Sequence, residues 1–349
     1  MVLVDDPDFY NDVLSIFLLK GQYMDILSFY YFKELAKDLH MTKTASRLYI
    51  SQQTLSNRIL RMEEELGTPL FYRKPSLSLT PAGEYVLNFA KQITSQYANL
   101  QDLISDMTNE ESGVLRFGAS TLRIDTCIGP ILKDFSAKYP RVELRVTDSI
   151  SGKLVPKILE GELDLAIVST DNFDINLVHE QFMTDHIFFC VTDGLLEEYY
   201  GEEASALKKK AWAEGAHVSD FDRLPFCMFT SRLGAIVREC FEDEHVRPKV
   251  YIDSTYTNIA TNICFRGLAA SFCTNVVLNN KRRDIPRELN IIPLKKGNDV
   301  CSLKLSLIRH RDRYQPEYTR YFSDLICDYF SRIESTSMTQ LGDRIPAEV

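Results

Sequence analysis

Thr42–Glu65, TKTASRLYISQQTLSNRILRMEEE, reads as two helices joined by a tight turn. Thr42 is placed to cap a first helix with Ala45 and Leu48 pointing inward, and Tyr49-Ile50 breaks the period before Ser51. Ser51 is a good N-cap for the second helix, whose Leu55, Ile59 and Met62 recur at helical spacing and leave one apolar stripe and one free face. That face, with Lys43 from the preceding helix, carries Ser51, Gln52, Gln53, Thr54, Ser56, Asn57, Arg58 and Arg61. These side chains can pair with base edges or phosphate oxygens, and they crowd the amino end, where a helix of this kind meets the major groove.

Working outward, Ile26–Leu39 has apolar residues at helical spacing and supplies a further helix of a small three-helix core. Gly67 stops the second helix of the pair, and Pro69-Leu70-Phe71 anchors the chain that follows. Tyr72–Leu79, YRKPSLSL, looks like a short two-stranded wing whose Arg73 and Lys74 reach phosphate or the minor groove; a solvated basic turn is the alternative.

The words TASRLYISQQTLSNRILRMEEELGTPLFYRK and LTPAGEYVL, between Thr44 and Leu87, resemble the LysR-type transcriptional regulators. The resemblance implies an α/β chain with an N-terminal winged helix-turn-helix, a long dimerisation helix and a two-lobed, periplasmic-binding-protein-like effector domain of type 2. Two positions depart from the family pattern: Gln53 stands where a proline or small residue is usual, and Tyr49 where His is frequent. Both bear on which bases are read.

With 349 residues and 45% apolar content, the chain has room for two or three domains with cores of their own. It is acidic overall, 40 Lys and Arg against 49 Asp and Glu. Residues 24–82 invert that balance, with eight basic against six acidic side chains, so a polyanion has one landing site on an otherwise acidic body.

The eight cysteines show no metal-ligand spacing and sit mostly in apolar runs, as buried reduced thiols do. A redox-responsive pair is the alternative, with Cys240 near Arg238 the one electropositive setting. No apolar run approaches the length of a membrane span, and the first residues begin acidic, unlike a signal peptide. Residues 1–23 read as an extra helix on the DNA-binding domain or as the product of a start codon set too far upstream.

From Pro81 a long helix is expected, with Val86, Ala90, Ile93, Tyr97, Leu100, Ile104 and Met107 forming a heptad seam that calls for a partner chain. Asn109–Gly113, NEESG, reads as a hinge. Beyond it strand and helix alternate. VLRFGAS, VELRVTD and LDLAIVS are strands separated by helices at Ile131–Tyr139 and Gly152–Leu159, a parallel sheet with ligand loops at its carboxyl edge. HIFFCVTD, LPFCMFT, RPKVYIDS and LAASFCT, with helices at Leu233–Phe241 and Asn258–Phe265, repeat the plan. LKLSLIRH then returns the chain to the first lobe, where Pro316–Phe330 forms a closing helix. GELDLAI, LPFCMFTSRLG and FRGLAASFC extend the family resemblance to about Phe330.

The expected organisation is an extension over 1–23, the winged helix-turn-helix over 24–82, the dimerisation helix and hinge over 83–110, and the effector domain over 111–335. Lobe I takes 113–187 and 310–335, lobe II takes 188–309, and 336–349 is a tail. Gly194–Ser219 is longer than the usual family connection and reads as an exposed helix on lobe II.

By position, the resemblance carries effector contacts to Ser120, Thr121, Ser151, Ser169, Thr230, Ser231 and Thr274. Hydroxyls and free amides at helix amino termini suit a carboxylate or other anion, although Ser and Thr are also ordinary caps. Arg123, Arg232 and Arg266 are further candidates for a charged ligand.

No catalytic, nucleotide or metal motif is present in the sequence, so the expected function is not that of an enzyme, and no cofactor or metal is expected. A two-lobed solute-binding receptor is the rival reading for the second half. The expected partners are a dyad DNA operator, a small-molecule effector of carboxylate type, and a second copy through 83–108, with a tetramer and RNA polymerase contact implied by resemblance alone. The expected location is the bacterial cytoplasm.

Overall fold

Asp25 starts the first described element, α1 (Ile26–Asp38), by accepting a hydrogen bond from the Ser28 amide, and Leu39 ends it in the left-handed region at φ 46°. The computed structural model describes residues 24–107, 112–170 and 172–335. The expected extension over 1–23, the tail over 336–349 and most of the hinge lie outside the described residues; Ser112 and Gly113 of that hinge already belong to a strand. The chain divides into two units, residues 1–101 and 102–349.

In the first unit, α2 (Met41–Arg47) follows α1, and α3 (Gln52–Leu66) follows α2. His40, not Thr42, caps α2: its Nδ1 accepts from the Lys43 amide. Thr42 lies one residue inside the helix and its hydroxyl donates to Gln52 instead. Arg47 fastens α2 to α1 through Glu34 and, at 2.7 Å, Asp38. Ser51 caps α3 by accepting from the Thr54 amide, and Gly67 closes it at φ 67°, a conformation that favours glycine. Phe29, Phe32, Leu35, Ala45, Leu55, Ile59 and Met62 make the core, completed by Leu70, Phe71 and Ala90.

The wing is real but small: β1 (Phe71–Tyr72) pairs antiparallel with β2 (Ser78–Leu79). Glu63 of α3 anchors it, accepting from the amides of Leu70 and Phe71. The long helix α4 (Pro81–Met107) follows. Its expected seam divides. Val86, Ala90 and Ile93 are used inside the first unit, where Ala90 is fully buried. Among the described residues, the large apolar side chains left exposed on α4 are Tyr85, Phe89, Tyr97, Leu100 and Ile104. That stripe shares Tyr97, Leu100 and Ile104 with the expected seam and is rotated off it at Tyr85 and Phe89. The small domain thus covers its own helix further along than the heptad reading allows.

The second unit is two-lobed. In lobe I, β3 (Ser112–Ala119) lies between β4 (Arg141–Asp148) and β5 (Leu165–Val168), all parallel. The intervening helices are α5 (Thr121–Lys138) and α6 (Ser151–Leu159). α5 starts well before the expected Ile131 because it runs through Pro130, a residue that costs a backbone bond and marks a boundary by sequence rules. Here Ile131 and Phe135 beyond it are buried in the main core, and that packing holds the helix continuous.

The long strand β6 (Leu177–Thr192) crosses between lobes. Its first part pairs with the returning strand β13 (Ser302–His310), and β13 also pairs with β5. The return into lobe I therefore begins at Ser302, ahead of the boundary expected at 310. The second part of β6 pairs with β9 (Ser271–Thr274) and β10 (Leu289–Pro293), which belong to lobe II with the parallel pair β7 (Pro225–Phe229) and β8 (Lys249–Ser254). The crossovers are α9 (Arg232–Asp243), α10 (Thr257–Phe265) and α11 (Asn275–Asn280), and α12 (Glu317–Ser335) closes lobe I.

The segment over 194–219 is not one exposed helix. It forms α7 (Asp193–Tyr200) and α8 (Ala204–Glu214), which bury Leu195, Leu196, Tyr200, Ala204 and Ala211 in the main core. Its mixed charge hides that apolar face in the sequence; Trp212 and Tyr199 stay partly exposed. Two short strands, β11 (Lys295–Lys296) and β12 (Asp299–Val300), form the hairpin before β13.

Candidate DNA interface and effector cleft

Side chains four residues apart lie in a row along a helix, and Gln53, Asn57 and Arg61 form such a row on α3, all exposed, away from the buried Leu55, Ile59 and Met62. Among the described residues Gln53, Ser56, Asn57 and Arg61 have no side-chain hydrogen bond within the chain. Thr54 belongs to the cap, its hydroxyl 2.8 Å from that of Ser51, and Gln52 accepts from Thr42 at 2.9 Å.

The basic residues separate into two groups. Lys43 pairs with Asp38 at 3.5 Å, and Arg73 with Glu63 at 2.7 Å. Arg58 donates to both oxygens of Asp25 and to Ser28, with its guanidinium over the Tyr31 ring. The Ser28 hydroxyl, with Arg58 beside it, holds the Asp25 carboxyl down to about 2. Among the described residues Arg61 and Lys74 have no carboxylate partner, and both project from exposed positions. Tyr49, at φ 56° in the turn between α2 and α3, is 96% exposed.

In the second unit the expected hydroxyls gather at the carboxyl edge of the lobe I sheet and at helix starts in lobe II. The Ser149 amide donates to the Ala119 carbonyl, which brings the ends of β3 and β4 together. Ser151 is spent as a link, its hydroxyl accepting from the Ser169 amide at 2.9 Å. Ser231 and Thr274 cap α9 and α11. Thr230 is exposed just past β7, its amide on the Ser254 carbonyl. Ser120 precedes α5 without capping it through its side chain, and accepts from Arg123 at 3.3 Å; Thr121 is exposed beside it. Arg266 follows α10 on the surface, and Arg232 is the first residue of α9.

Arg123, near the start of α5, lies close enough to Asp185 of the crossing strand for their charges to act on one another. Burial presses its pKa downward while the charge of Asp185 opposes that. Asp185, on the crossing strand β6, is 2% exposed and accepts from the Val276 amide at 3.1 Å and from Thr274, so it also fastens the start of α11. Burial pushes its carboxyl up to about 6 despite those donors and Arg123. Asp185 is absent from the residues expected by sequence; the available signal is a lone carboxylate, MTDHIFF, inside an apolar strand run. A helix amino terminus, a hydroxyl and an arginine on one edge have the chemistry that suits an anion.

Residues 27–84 match the description "Bacterial regulatory helix-turn-helix protein, lysR family", and residues 108–331 match "LysR substrate binding domain". The chain belongs to the LysR family. Among curated relatives of this LysR-family chain, the regulator IlvY of Escherichia coli (strain K12) is 37% identical over 145 residues, covering 41% of this chain and 49% of IlvY. The chain thus spans about half the length of the first curated relatives it matches. The fold is that of a full-length OxyR variant from Pseudomonas aeruginosa, with TM-score 0.64, 17% identity, and 88% of this chain and 98% of that one covered. Full-length CbnR in complex with its target DNA has the same fold, with TM-score 0.57, 16% identity, and 88% and 100% covered.

Among the described residues no helix is long and apolar enough to cross a membrane, and no cluster of His, Cys, Asp and Glu has the grouping to hold a metal ion. All eight cysteines are free thiols, seven of them buried. Arg238 is turned to the Phe229 carbonyl and Asp253, so it does not give Cys240 the basic setting expected of it.

Proposed function

We propose that this LysR-family chain is a ligand-responsive transcription regulator of the cytoplasm, neither an enzyme nor a secreted receptor. In this reading α3 lies in the major groove, Arg61 and Lys74 meet phosphate, and a small anion is held at the amino end of α5 by Ser120, Thr121 and Arg123. The exposed stripe Tyr85, Phe89, Tyr97, Leu100 and Ile104 joins two copies, so that paired heads read a dyad operator. The ligand acts by binding one degree of lobe closure better than another.

One observation carries the reading. Gln53, Asn57 and Arg61, three side chains able to contact bases or phosphate, stand in a row on a capped and well-packed helix with no partner inside the chain among the described residues. The test is selection of duplexes from a random pool by the purified protein. Dyad-symmetric sites whose binding weakens with salt support it; recovery of no sequence above background at low salt overturns it.

A further inference from the structure

Cys240 on α9 and Cys301 between β12 and β13 place their sulfurs 3.5 Å apart, although 61 residues separate them in sequence. Cys240 is fully buried and Cys301 is 6% exposed. Cys301 also sits where the two lobe crossings run side by side: its carbonyl accepts from the Ile187 amide of β6, and its own amide donates to the Leu294 carbonyl. Ser302, the next residue, begins the return strand. A bond between these sulfurs would tie a lobe II helix to the strands that cross between the lobes.

We propose that Cys240 and Cys301 form a reversible disulfide on exposure to a hydroperoxide, a modification that fixes α9 to the interlobe crossing. The sulfurs need to close from 3.5 Å to about 2.05 Å, a movement of side chains on neighbouring elements rather than of domains.

The two thiols are not equivalent. The hydrogen bond from the Cys240 thiol pushes the Cys301 pKa down, and the Lys296 ammonium adds to this; the same contact and burial push Cys240 up. Lys296 is held over this region by Glu239 and Asp243 of α9, each at 3.1 Å. Cys301 is therefore the attacking thiolate and Cys240 the resolving thiol. The Cys301 sulfur attacks one peroxide oxygen, the O–O bond breaks, and the other oxygen leaves as an alcohol or water, giving the sulfenic acid. The Cys240 sulfur then attacks the Cys301 sulfur, the S–O bond breaks, and the hydroxyl leaves as water with the Cys240 proton. Two thiols and one hydroperoxide become one disulfide, one alcohol and one water, with both electrons taken from sulfur.

The Cys190–Cys273 pair has a similar bias, with Cys273 pushed down by the Cys190 thiol and Lys281, but both thiols are fully buried, whereas Cys301 reaches the surface. Cys190, Cys264 and Cys273 lie in the apolar cluster with Phe188, Val277 and Leu278, all at most 4% exposed. Burial raises Cys264 well above its usual range.

The test uses the full-length protein, treated with hydrogen peroxide, then alkylated under denaturing conditions and mapped by peptide mass. Titratable thiols should fall from eight to six, with the Cys240 and Cys301 peptides joined, and dithiothreitol should restore both. Cys240→Ser and Cys301→Ser should each abolish the cross-link. The proposal is overturned if both thiols remain alkylatable, if Cys301 passes to sulfinic acid unlinked, or if Cys190 and Cys273 join instead. None of these outcomes depends on whether the chain binds DNA.

Discussion

Arg58 Nη1 stands 2.9 Å from each carboxylate oxygen of Asp25, so an arginine on α3 is neutralised by the cap of α1. Sequence alone puts Arg58 on the same footing as Arg61. The pairing separates them, because a cation already held by a carboxylate releases few DNA counterions on binding.

The first prediction follows from that difference. Arg61→Ala and Lys74→Ala should each flatten the dependence of log affinity on log salt by about 0.9, the effect of one lost phosphate contact. Arg58→Ala should leave that slope nearly unchanged and lower the stability of the first unit by about 1 kcal/mol, from a partly exposed ion pair and a cation–π contact. Fluorescence anisotropy across a salt series, with urea unfolding beside it, checks both; an equal slope change in all three variants would refute the separation.

A second prediction concerns pH. In the unfolded chain the Asp185 carboxyl titrates near 3.8, whereas in the fold burial raises it to about 6. Between those values the folded state binds more protons, so this group's contribution to stability falls as pH rises, by about 3 kcal/mol in all. Asp185→Asn keeps an acceptor for the Val276 amide and loses the ionisation. Relative to wild type, the variant should therefore gain about 2 kcal/mol between pH 4 and pH 7 in urea unfolding. A difference that is flat with pH would show that Asp185 is not desolvated.

A third tests the packing under α9. A methyl group on Gly234 would collide with the Phe229 carbonyl oxygen, which is backbone and gives way poorly. Gly234→Ala should cost about 1 to 3 kcal/mol of stability and displace the cap at Ser231. Unchanged urea unfolding would mean that α9 stands further from β7.

A fourth tests the anion seat. Small carboxylates that bind between the lobes should raise stability by about 2.7 kcal/mol at a hundred times their dissociation constant. Arg123→Ala should remove that shift, while Arg266→Ala, outside the seat, should leave it intact. Equal shifts in both variants would move the ligand elsewhere.

Much of this is legible in the sequence because local chemistry agrees with tertiary need. Ser51 and Gly67 mark the ends of α3 as capping rules require, and the alternation after Ser112 marks the strands of lobe I. What escapes is decided by packing. Pro130 looks like a helix boundary until Ile131 and Phe135 are seen in the core, and the charged run over 194–219 conceals Leu195, Leu196 and Ala211. The seam of α4 looks free at Val86 and Ala90 because periodicity cannot tell which neighbour takes an apolar face. At the candidate sites residue types are readable but their partners are not: Arg58 with Asp25, Ser151 with Ser169, and Asp185 with the start of α11.

The most direct test is a base-substitution cycle on a duplex selected by the protein itself. Gln53→Ala and Asn57→Ala are each measured by anisotropy against that duplex and against single base-pair changes along one half-site. Each variant should lose about 1 to 3 kcal/mol, a loss that vanishes when one particular base pair is changed and so marks the contact. Full affinity in both variants, or losses indifferent to every base change, would contradict it.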